Sequence, residues 1–83
     1  MTGRSMAPAA ALALSAALGC QLTVLVSRPW ASVTFSGEKV FLAVEGTLPA
    51  NLDEVDVAIA GGVLADIASL GDDRLEVLLI ADA

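Results

Sequence analysis

The chain contains no histidine and no tyrosine, and Cys20 is its single cysteine. Without histidine, the side chain most often used as a general base is missing. A zinc site built from Cys and His ligands cannot form within one chain. An intramolecular disulfide is impossible, so nothing points to an oxidising compartment. Bases are scarce as well: four Lys and Arg stand against ten Asp and Glu, a formal net charge of −6. From Glu45 onward there are nine acids and one base, Arg74. Such a field repels phosphate backbones, and nucleic-acid binding rests on Lys and Arg neutralising phosphates. Nucleic acid is therefore excluded as a partner.

What the chain does have is apolar side chains. They make up 57% of its 83 residues, against a usual share of roughly 45–50%. A chain of this length forms one domain, residues 1–83, and buries only about 60% of the surface it exposes when unfolded. The apolar surplus points to a homo-oligomer, a dimer in the first instance, or to a protein partner.

No charge occurs between Arg4 and Arg28. Three readings of this stretch compete. As a membrane helix, 23 residues rise about 35 Å, enough for a hydrocarbon core of about 30 Å. As a targeting segment, Arg4 supplies a basic start and residues 6–18 an apolar region. Here Ala17-Leu18-Gly19-Cys20 resembles the cleavage box of bacterial lipoproteins. It differs in having Ala17 where a leucine is typical. The resemblance implies Cys20 as a lipidated N-terminus, a membrane-anchored or periplasmic protein, and residues 5–27 as the targeting device.

As part of a folded domain, the same stretch splits in two. Residues 6–18 are alanine- and leucine-rich helix formers. Ser5 can cap the helix, Pro8 suits its first turn, and Gly19 offers a stop. Leu14 and Leu18 share a face, with Ala11 beside them. Leu22 to Val26 is rich in β-branched residues and suits a strand buried on both faces. This change of character halfway, and the presence of Met1 ahead of the box, favour the folded, cytoplasmic reading. A membrane association is not expected.

Arg28-Pro29 is expected to break the first strand, since proline lacks a ladder donor. Residues 30–36 alternate, Ser36-Gly37-Glu38 reads as a tight turn, and residues 39–46 alternate again, with Val40, Leu42 and Val44 on one side. This predicts a β-hairpin. Residues 46–51 form a loop and residues 54–60 a strand. Residues 63–70 sit between glycines and read as a strand despite helical spacing of Val63, Ile67 and Leu70. Residues 74–81 close the sheet, with Leu75, Val77 and Leu79 opposite Glu76, Leu78 and Ile80. The fold class is α+β: an N-terminal helix (about 6–18) packed on a mostly antiparallel sheet of five or six strands joined by hairpins.

Arg28, Trp30 and Asp66 are the candidate ligand-binding residues. A guanidinium beside an indole can hold an anionic or aromatic ligand by pairing and stacking. The competing role for Trp30 is a core or interface anchor. Asp66 stands among Leu64, Ala65 and Ile67, so a buried carboxylate there needs a partner, and Arg28 is the expected one. Asp53, Glu54 and Asp56 cluster without the glycine and later glutamate of a calcium loop. Gly61-Gly62 lacks the Lys-Ser/Thr of a phosphate loop. Cys20 follows a helix C-terminus, where the dipole disfavours a thiolate, and reads as a small buried hydrophobe. No base stands ready to activate a hydroxyl. No cofactor, metal or catalytic residue is expected. The chain reads as a small non-catalytic self-associating or protein-binding module, with the lipoprotein and the small-ligand binder as alternatives.

Overall fold

The computed structural model describes residues 5–55, 57–59, 61–71 and 73–81. One helix, α1 (Ala7–Leu18), lies on a five-stranded antiparallel sheet, the expected α+β arrangement. The strands are β1 (Gln21–Ala31), β2 (Ser36–Glu45), β3 (Ala58–Ile59), β4 (Gly62–Ser69) and β5 (Arg74–Ala81). A short 3-10 turn spans Leu52–Glu54. The sheet order is β1-β2-β5-β4-β3. Hairpins join β1 to β2, β3 to β4 and β4 to β5. The last strand then inserts between β2 and β4, a Greek-key path.

Helix α1 forms where alanine and leucine run unbroken, and Pro8 sits in its first turn. Gly19 ends it at φ 70°, a left-handed conformation that costs glycine little. Its amide donates to the Ser15 carbonyl at 3.0 Å. The Ser15 hydroxyl accepts from the Leu22 amide at 3.2 Å and so ties the helix end to β1. Ser5 assists at the other end: its hydroxyl accepts from the Ala7 amide at 3.1 Å.

The core lies between α1 and one face of the sheet. Ala10, Leu14, Val40, Leu42, Leu75, Val77 and Leu79 are fully buried there. The small Ala7 and Ala10 let the helix backbone approach the strands, while Leu14 and Leu18 fill the space further along. In β5 the burial alternates as anticipated, with Leu75, Val77 and Leu79 inward.

Four expectations are corrected. Ser36-Gly37-Glu38 is not a turn but the start of β2; the chain reverses at residues 32–35, where the Ser32 amide donates to the Phe35 carbonyl at 2.7 Å. Gly37 is required for a different reason: a Cβ there would overlap the Leu79 carbonyl on β5. Pro29 does not break β1, which runs through to Ala31. β1 is an edge strand, and an edge tolerates a missing donor. Nor is β1 buried on both faces, because α1 packs against only one side of the sheet: Leu22 is its single buried residue. Of the strand predicted over 54–60, the described residues keep only Ala58–Ile59. Asp56, from the acidic cluster, lies outside the described residues.

Candidate interaction surface

Strand alternation assigns each residue of the sheet to the helix side or to an open side. Registers across β1, β2, β5 and β4 align three rows on the open side. One row is Trp30, Gly37, Ile80 and Val63. The next is Arg28, Lys39, Leu78 and Asp66. The third is Val26, Phe41, Glu76 and Ala68. Bulges after Val24 and after Leu64 set this phase, each re-aiming the residues that follow.

No element among the described residues covers these rows, since α1 lies on the opposite face. Val26 is 42% exposed and Val63 53% exposed. Trp30, Phe41, Leu78 and Ile80 are half-buried by their neighbours in the sheet. Apolar side chains thus occupy every strand of the open face, interrupted by charges in the middle.

Those charges are distributed unevenly over the molecule. Three of the four bases, Arg28, Lys39 and Arg74, stand on the open face, together with three acids, Glu45, Asp66 and Glu76. The face is therefore neutral among the described residues, and the net charge of −6 belongs to the rest of the chain. Arg74 pairs with Asp73 at 3.3 Å across an exposed turn.

The three residues singled out as a ligand site do not converge. Arg28 and Trp30 are two apart on one face of β1, as a strand requires. Asp66 lies on β4, with β2 and β5 between. Three strand spacings put it roughly 14 Å from Arg28. The Arg28–Asp66 pair expected within the chain does not form; the Arg74–Asp73 bridge is the only ion pair among the described residues. Nor is Asp66 buried: it is exposed, and its carboxylate accepts from the Ile67 amide at 3.0 Å. Cys20 is half-buried against the core.

An open groove of about 680 Å³ runs past Trp30, Pro29 and Gly37 to Ser5 and Glu38 at the start of α1. Arg28 is not among its walls. Its polar feature is Glu38, which points to the helix side because it is in phase with Val40 and Leu42. One carboxylate oxygen accepts from the Met6 amide at 2.5 Å, and the other from the hydroxyls of Ser5 and Ser27. Partial burial pushes the Glu38 pKa up, but the hydrogen bonds from Ser27, Met6 and Ser5 outweigh it and hold the carboxyl below its ordinary range. An anion at the positive end of a helix is favourable in itself. Glu38 thus fastens α1 to the β1–β2 hairpin, and its oxygens are already taken.

Sequence reasoning missed Glu38, Lys39, Phe41 and Glu76 as members of these two features. The signal was available. A charge in phase with buried Val40 and Leu42 marks Glu38, and the opposite phase marks Lys39 and Phe41.

No group of three or more His, Cys, Asp or Glu side chains converges as a metal site among the described residues. No helix among them is long and apolar enough to cross a membrane. No protein family, curated protein or solved structure matches this chain.

Proposed function

We propose that the chain is a small, non-catalytic, self-associating module whose working form is a homodimer. The observation that carries this reading is the one-sided cover of the sheet: α1 closes one face, and the other carries exposed Val26 and Val63 beside half-buried Trp30, Phe41, Leu78 and Ile80. An uncovered sheet face that carries apolar side chains on every strand, crossed by a row of charges of both signs, has the mixed composition of a protein interface. Local neutrality supports the same reading. Two copies of an acidic protein repel through most of their surfaces, but not through this one.

Arg28 and Trp30 act here as interface residues, a role both side chains fill well. The lipoprotein alternative sits poorly with the core. Cleavage before Cys20 would remove Ala10, Leu14 and Leu18, which form one wall of it. A cytoplasmic protein that keeps α1 is the consistent form.

Light scattering on the untagged chain in plain buffer tests the proposal. A mass of twice the chain mass of 8.4 kDa at micromolar concentration is expected. A strictly monomeric mass up to millimolar concentration would falsify it.

A further inference from the structure

We infer that two copies stack open face to open face about a two-fold axis parallel to the strands, placing Arg28 of each copy over Asp66 of the other. The inference rests on the self-association reading and adds the geometry of the pair.

The row Arg28, Lys39, Leu78, Asp66 crosses the sheet from one side to the other, with both bases at the β1 end and the acid at the β4 end. Consider an axis running along the strands, between β2 and β5. It exchanges left and right but keeps the row. β1 of the second copy then lies over β4 of the first, and Arg28 faces Asp66 twice, once at each end. Lys39 faces Leu78 and lies diagonal to Glu76 of the second copy. In the neighbouring row, Ile80 faces Gly37, a projecting side chain over a position with none. Trp30 covers Val63. Packed sheets lie about 10 Å apart, a gap the long arginine and the short carboxylate share.

The other two-fold that brings the faces together runs along the row itself. It places Arg28 on Arg28, Lys39 on Lys39 and Asp66 on Asp66, which like-charge repulsion disfavours. Pairing through the free edge of β1 is also disfavoured. That edge carries a bulge after Val24, the proline Pro29 and the charge of Arg28, all features that block strand addition. The isologous arrangement with the axis along the strands thus satisfies charge and shape together.

The test is a charge-exchange experiment in low-salt buffer, read by analytical ultracentrifugation, with circular dichroism to show that each variant keeps the fold. Arg28→Glu and Asp66→Arg both lie on exposed positions. Each alone should weaken the dimer on the order of tenfold or more, by placing like charges face to face at both ends. The combined variant should return to within about threefold of the parent. Mixing the two single variants should restore association as a heterodimer, because every facing pair is then opposite in sign. A parent dimer indifferent to the single reversals, or single variants that stay apart when mixed, overturns this geometry and leaves self-association standing. A dimer lost instead on Val24→Pro, with the charge reversals silent, assigns the contact to the β1 edge and also overturns it. A monomeric parent removes the underlying reading.

Discussion

The two faces of the sheet are built from the same strands and much the same side chains, yet they do different work. On the covered face, Leu42, Val77 and Leu79 are fully buried under α1. On the open face, Phe41, Leu78 and Ile80 alternate with them residue by residue and meet solvent. The first face supplies folding stability, at roughly 1.5–3 kcal/mol for each fully buried aliphatic side chain. The second can supply it only when something else covers it. Apolar content therefore does not by itself reveal a core; the covering element decides.

Matched substitutions on the two faces should break this comparison or sharpen it. The largest effect is expected for Leu42→Ala, which opens a cavity beneath α1 and should cost about 3 kcal/mol in denaturant unfolding. Leu14→Ala, in the helix layer, should match it. A cost below about 1 kcal/mol at either position would show that α1 is not the true cover. Next comes Gly37→Val. Its side chain would meet the Leu79 carbonyl and push β2 from β5, with a loss of about 2 kcal/mol. A loss within a few tenths would show that β2 and β5 do not approach closely at Gly37.

Glu38→Gln should cost about 1 kcal/mol near neutral pH, since it removes the charge that anchors the start of α1. The sign of the pH dependence follows from a lowered folded pKa. The contribution of Glu38 is complete above the ordinary carboxyl range and disappears as pH falls through the lowered folded value. Urea midpoints for parent and variant should differ at neutral pH and converge in acid; a gap that persists unchanged in acid would contradict the ionic anchor. The smallest effect on folding belongs to Leu78→Ala, at most about 0.5 kcal/mol at a dilution where the chain is monomeric. Self-association should weaken far more than folding does. Equal losses at Leu42 and Leu78 would erase the distinction between the faces.

Much of this architecture was legible in the residues. α1 announced itself through Pro8, the alanine–leucine run and Gly19, and β5 through strict alternation from Leu75 to Ile80. The misread parts share one cause. Glycine and proline report a local need without saying which one. Gly37 reads locally as a turn residue, the commonest use of glycine, but here it serves close approach of two strands. Pro29 reads locally as a strand end, whereas it lies within the strand at the outer edge of the sheet. The apolar stretch from Leu22 to Val26 reads the same whether its second face meets a protein layer or solvent. The Arg28–Asp66 pair does not form within the chain, because β2 and β5 stand between β1 and β4, and strand order is a long-range property that no local pattern carries. The order depends on β5 reaching between β2 and β4.

That insertion also sets a sequence of events during synthesis. The strand that completes the ladder is made after all the others. Until it arrives, β2 and β4 each present an unfilled row of backbone donors and acceptors, and Leu42 and Val40 lack their neighbours. Two-stranded pieces of sheet are marginal on their own, so β1–β2 and β3–β4 become one sheet only when β5 joins them. Whatever displaces β5 leaves both of those rows open to a stranger's strand.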